Sequence, residues 1–211
     1  MSDAIAELGF VHRWIPSDGA NETVLALHGT GGDENDLLPL VGAVAAGKNV
    51  LSPRGKVLEM GAPRFFKRRA EGVFDLDDLV ARTNELADFV IAAATAYGFD
   101  PSKVVALGYS NGANVAGSMM MLRPEVLAGG ALLRAMKPFE PADVGAELPD
   151  LSSARVLVIS GARDPIVPPG SAEGLVELLR RAGAAVSVHA SPAGHELIRP
   201  DLDLVAEWFS S

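Results

Sequence analysis

The sequence contains no cysteine. Disulfides, thiolate metal sites and cysteine nucleophiles are therefore excluded. Positive charge is also scarce. Eighteen Lys and Arg stand against 27 Asp and Glu, a net charge of −9. So acidic a chain lacks the basic face that nucleic acid or a polybasic membrane contact requires. Long apolar runs are missing too: the longest, such as VLAGGALL at 126–133, fall far short of the ~18 residues of a membrane span. The opening MSDAIAELGF has acidic residues and no basic region ahead of an apolar core, so it does not read as a secretory signal. These absences point to a cytoplasmic protein with neither nucleic acid nor a stable membrane anchor among its partners.

What is present is an ordinary globular composition, 48% apolar and 21% charged over 211 residues. That length suits one domain, residues 1–211, with a substantial core. FVHRWI (10–15) alternates, with Phe10, His12 and Trp14 on one side, and reads as a half-buried edge strand. TVLAL (23–27) is wholly apolar, as expected of a strand covered on both faces. PSDGAN between them is turn chemistry, which predicts an antiparallel N-terminal hairpin. A helix fits 35–46, a strand 49–52 and a long helix 78–97, with Gly98 at its end. A loop rich in Arg, Phe and Gly covers 53–77. Strands are then predicted at KVVAL (103–107), 129–133, 155–160 and 185–190, alternating with helices at 111–122, 170–182 and 196–210. This order implies an α/β fold, a mostly parallel central sheet with helices on both faces.

The stretch VVALGYSNGANVAG (104–117) leaves a strand, turns at Gly108-Tyr109-Ser110-Asn111-Gly112 and enters a helix with no spacer. A nucleophilic serine needs such a turn. It projects Oγ out of the backbone, requires small neighbours, and aims the helix N-terminal amides at the site of a developing oxyanion. A serine hydroxyl also needs a base, and the base an orienting carboxylate. In this type of fold the chain order is Ser, acid, His. SGARDPIVP places Asp164 just beyond a buried strand, whereas Asp143, Asp150 and Asp201 read as turn or cap residues. Of the four histidines, His12 and His189 lie within strands and His28 precedes the serine. His195, in the loop before the last helix, is left as the base.

LALHGTGGDENDLLPL completes the site. The glycines after its strand let backbone approach a ligand, and the oxyanion donors expected are the amides of Thr30 and Asn111. No phosphate-loop or dinucleotide fingerprint follows the strand, and there is no H-E-x-x-H metal motif. Phe65, Phe66 and Phe74 either wall an acyl or aryl pocket or anchor their loop in the core. Met136, Phe139 and Ile166 are further pocket candidates. Arg64, Lys67, Arg68 and Arg69 either form ion pairs with Glu71, Asp75 and Asp77 or attract an anionic substrate.

Taken together, LHGTGGDENDLLPL, FDPSKVVALGYSNGANVA, SGARDPIVP and AGHEL resemble, in order and over nearly the whole chain, the phospholipase/carboxylesterase family of small α/β-hydrolases. That family includes acyl-protein thioesterases and compact bacterial carboxylesterases, and RFFKRRAEGVFDLDDL is closer to the latter. The resemblance implies a Ser110-Asp164-His195 hydrolase with oxyanion donors at Thr30 and Asn111. It further implies no large cap domain, no cofactor and often a homodimer. The activity expected is hydrolysis of small to medium carboxylic esters. Thioester or lysophospholipid hydrolysis, or a binding module that has lost turnover, are the alternatives.

Overall fold

The computed structural model describes residues 8–211; the start of the segment read above as lacking a secretory signal, residues 1–7, lies outside them. Seven strands form one sheet: β1 (His12–Ile15), β2 (Thr23–Leu27), β3 (Asn49–Pro53), β8 (Val104–Tyr109), β9 (Gly129–Leu133), β10 (Arg155–Gly161) and β11 (Ala185–Ser191). Their spatial order is β1-β3-β2-β8-β9-β10-β11. All neighbours are parallel except the edge pair β1 and β3.

The expected hairpin of β1 with β2 is therefore wrong. β1 pairs with β3, His12 opposite Pro53 and Ile15 opposite Val50. The connection 16–22 is longer than the two to five residues typical of a hairpin loop, and it leaves room for β3 to slot between. β2 is buried at all five positions, so a parallel neighbour on each side suits it better than a two-stranded edge.

Alternation along the apolar strands divides the core in two. Leu25, Leu27, Val156 and Val158 face α2 (Leu76–Tyr97), α3 (Asn111–Leu122) and α4 (Ser171–Arg181). Val24, Ala26, Leu157 and Ile159 face α1 (Leu38–Val44) and α5 (Arg199–Ser210). A period of two thus sends one uniformly apolar run to both layers. The long helix α2 is closed at its ends as its sequence requires: the Asp75 side chain accepts from the Asp78 amide, and Gly98 takes the left-handed conformation, φ 74°.

Two helices start three residues later than their patterns predict. Asp33-Glu34-Asn35-Asp36 forms side-chain-capped turns before α1, with Asp33 Oδ1 accepting from the Asn35 amide. α5 begins three residues late, because Asp201 caps it by accepting from the Ile198 amide. The segment 53–77 is not simple loop. It holds two short ribbons, β4 (Val57–Glu59) with β5 (Ala62–Arg64) and β6 (Arg68–Ala70) with β7 (Val73–Phe74). No helix among the described residues is long and apolar enough to cross a membrane.

Candidate active site

Because β2, β8, β9, β10 and β11 run parallel, their carboxyl ends share one edge of the sheet, where ligand-facing loops gather in such folds. Ser110 follows β8 directly, with φ 51° and ψ −113°. This is strained backbone for any residue but glycine. The surroundings hold it: the Ser110 amide donates to Leu133 O at 2.8 Å, and its carbonyl accepts from the Asn114 amide at 2.9 Å. The next turn is so close to β2 that a Cβ on Gly112 would lie 2.0 Å from Leu27 O. The small residues around the serine are thus a steric demand.

Ser110 Oγ lies 2.8 Å from His195 Nε2, and His195 Nδ1 lies 2.8 Å from Asp164 Oδ2. The other oxygen of Asp164 accepts from the amides of Ile166 and Val167. Burial pushes the Asp164 carboxyl up, but the His195 hydrogen bond and these two amides outweigh it and hold the pKa below the ordinary value. An ionised Asp164 fixes the proton on Nδ1 and leaves Nε2 as an acceptor facing the serine hydroxyl. Three side chains distant in sequence, at 110, 164 and 195, therefore meet as expected. Asp143 and Asp150 act as turn or cap acceptors instead.

The loop of His195 is held by groups the sequence reading missed. Arg134, fully buried, donates to Gly194 O at 3.0 Å, to Glu196 O at 2.6 Å and to Asp201 Oδ2 at 2.6 Å. Tyr109 donates to the carbonyl between them, His195 O, at 3.0 Å. Burial pushes the Tyr109 pKa up, so it keeps that proton. An arginine that directly follows an apolar strand was the available signal. A Cβ on Gly161 would lie 2.0 Å from Gly194 O, so β10 and this loop meet in close backbone contact.

A cleft of about 290 Å³ opens on Ser110 and His195 and is lined also by Thr30, Tyr109, Arg68, Glu71 and Ile166. A cavity of about 30 Å³ continues from it on the side of Asn111. Thr30 and Asn111 both border Ser110 there, and among the described residues neither backbone amide donates a hydrogen bond within the chain. Of the pocket candidates, Phe74, Met136 and Ile166 line this cavity. Phe65, Phe66 and Phe139 do not: all three are buried in the core. Phe65 lies tilted against His28, with ring centroids 4.7 Å apart, and Phe66 meets Phe74 edge-on at 5.0 Å. Their ribbon needs such anchors because strands of two or three residues cannot hold themselves.

His28 is structural. Nδ1 donates to Gly29 O and Nε2 accepts from the Gly55 amide, while burial holds its pKa below the usual value. The basic stretch pairs differently from expectation. Arg64 and Arg68 share Glu59, Lys67 pairs with Asp78, and only Arg69 with Asp75 matches the pairing predicted. Among the described residues no cluster of His, Asp and Glu is arranged to hold a metal ion.

No family model matches the chain. It is 43% identical over 198 residues to “Putative hydrolase MhqD” of Bacillus subtilis (strain 168), covering 93% of this chain and 97% of that protein. The Bacillus cereus carboxylesterase structure superposes with a TM-score of 0.93 at 40% identity, over 98% of this chain and 96% of that one. A carboxylesterase from Mesorhizobium loti gives 0.84 at 34% identity, over 91% and 90%. With likeness of this degree across the full fold, the chain belongs to the phospholipase/carboxylesterase family of small α/β-hydrolases.

Proposed function

We propose that this chain is a serine hydrolase that cleaves carboxylic esters of small to medium size through an acyl-enzyme intermediate. The observation that carries the reading is the unbroken pair of 2.8 Å contacts from Ser110 Oγ to His195 Nε2 and from His195 Nδ1 to Asp164. Ser110 Oγ attacks the ester carbonyl as His195 Nε2 takes its proton. The carbonyl oxygen becomes an oxyanion, received by the amides of Thr30 and Asn111, each worth ~2.7–4 kcal/mol in such a role. His195 then returns the proton to the leaving alcohol, and Asp164 stabilises the imidazolium in between. Water, activated by the same imidazole, releases the acid.

Two further features support the reading. Positive φ at Ser110 exposes Oγ to the cleft at a cost that a merely structural serine would not warrant. Two relatives with extensive sequence likeness are carboxylesterases. A cytoplasmic location belongs to the same proposal, since a chain without cysteine suits a reducing compartment.

The test is hydrolysis of p-nitrophenyl acetate and butyrate beside an acyl-CoA of equal chain length. Ester turnover that disappears in Ser110→Ala and His195→Ala supports the reading. Turnover of the thioester alone, or ester turnover unchanged in Ser110→Ala, overturns it.

A further inference from the structure

The cavity beside Ser110 is walled on one side by hydrogen-bond donors that have no acceptor. Asn111 is 2% exposed, its Oδ1 is taken by the Phe65 amide at 2.8 Å, and its Nδ2 is buried without a partner among the described residues. The neighbouring backbone donor fixes the amide orientation, so the NH2 group is the orphan. Asn114 also lines the cavity, with its Oδ1 accepting from the Met136 amide at 2.7 Å. A buried polar group left unpaired is costly, so the Asn111 NH2 calls for a partner such as water, an ion or a ligand group.

Two guanidinium groups border the same cavity. Arg64 spends Nε on Phe66 O and Nη1 on Thr30 Oγ1 and Glu59, and Arg68 spends Nε and Nη2 on Glu59. Nη2 of Arg64 and Nη1 of Arg68 have no partner among the described residues. Two positive groups thus share one carboxylate. Burial first, and the charge of Arg68 second, lower the Arg64 pKa from its ordinary value. Glu71, the other acid nearby, lines the larger cleft rather than this cavity.

Position decides which part of a substrate meets these donors. His195 lines the larger cleft and not the small cavity. In the mechanism proposed above His195 delivers a proton to the leaving alcohol, so the alcohol occupies its side and the acyl group the other. We infer that the cavity formed by Asn111, Asn114, Arg64 and Arg68 is a carboxylate subsite, which selects short acyl groups ending in a carboxylate: hemiesters of small dicarboxylic acids. The inference rests on the serine-esterase reading for its orientation. The space, about 30 Å³, exceeds the ~10–15 Å³ that a single water needs, so a small polar group fits. Phe74, Met136 and Ile166 complete the wall and suit a short methylene spacer.

The experiment is isothermal titration of Ser110→Ala protein with monomethyl succinate and with dimethyl succinate, repeated in Ser110→Ala/Arg68→Gln. Binding needs no turnover, so failure here is separate from failure of the esterase reading, which is judged by ester hydrolysis in the unmodified protein. Arg68 is the side chain to change because Arg64 is buried and holds its ribbon. The hemiester should bind about tenfold or more tightly than the diester, and Arg68→Gln should reduce that ratio several-fold, Arg64 and Asn111 keeping the remainder. Arg68→Lys, which keeps the charge, should retain more of the preference. Equal affinity for the two ligands, no binding of either, or a preference unchanged by Arg68→Gln would overturn the inference and leave the cavity to water.

Discussion

Arg134 and Asp201 form an ion pair almost wholly out of water, 2.6 Å between Nη2 and Oδ2, under the loop that carries His195. The same guanidinium takes the carbonyls of Gly194 and Glu196, on either side of the imidazole. Arg134 also sits at φ 56°, so backbone strain is spent to bring it there. The pair is a positioning device for the proposed base. Asp201→Ala should cost about 3–5 kcal/mol, because it leaves a buried charge uncompensated. Arg134→Met/Asp201→Leu should recover much of that stability, since an apolar pair removes the charge altogether. It should still lose up to about 100-fold in kcat through a misplaced His195. Urea denaturation with ester kinetics separates the two effects; a double variant that is stable and fully active would show that the pair does not position the loop.

Ser110 supplies a second prediction from its backbone. Ser110→Ala should lower kcat by about 10⁶-fold, the scale seen when a nucleophile is removed. Ser110→Gly should be as inactive yet more stable than Ser110→Ala by about 1 kcal/mol. Relief of φ 51° is worth ~1–3 kcal/mol, and the flexibility of unfolded glycine takes back ~0.5–1 kcal/mol. The difference in urea midpoints between the two variants reads this directly.

Acid should destabilise the protein in two separate windows. His28 has its pKa lowered by burial. The unfolded chain therefore takes up that proton near pH ~6.5 while the folded chain does not, and stability falls as pH drops below this value. His28→Asn should flatten the fall between pH 7 and 5. Asp164 is also lowered, through His195 and two backbone amides. Its contribution is present above the ordinary carboxylate pKa of ~3.9 and is lost as pH falls through the folded value, so Asp164→Asn should flatten only the lower window. Denaturant midpoints across pH 2–8 test both.

Two glycines should fail in different ways. A Cβ on Gly112 meets Leu27 O at 2.0 Å, inside the core between α3 and β2. Gly112→Ala should give little folded protein. A Cβ on Gly161 meets Gly194 O at the same distance, but at the sheet edge, where a loop can yield. Gly161→Ala should remain folded by circular dichroism and lose activity as the His195 loop shifts.

Most of the alternating order was legible because apolar runs bounded by Gly, Pro and Asp are strong local signals; α3 and β9 occupy the residues predicted. Pairing was less legible. Nothing within residues 10–27 reveals that β3, from elsewhere in the chain, would separate β1 from β2. The ribbons of 53–77 were missed because strands of two or three residues carry too little periodicity to read. At the site, Ser110, Asp164 and His195 announce themselves by motif and chain order. Arg134 does not, because its purpose is visible only once the His195 loop folds over it. Phe65, Phe66 and Phe139 could not be divided between pocket and core by sequence, since an aromatic ring serves either place equally well.

The central claim is that Ser110 becomes acylated with the help of His195 and Asp164. Mass spectrometry of the folded protein after treatment with a fluorophosphonate probe tests it most directly. The account predicts one adduct, on the peptide containing Ser110, formed far more slowly in His195→Ala and absent in Ser110→Ala. A folded protein that takes no label, or takes it at another residue, contradicts the account.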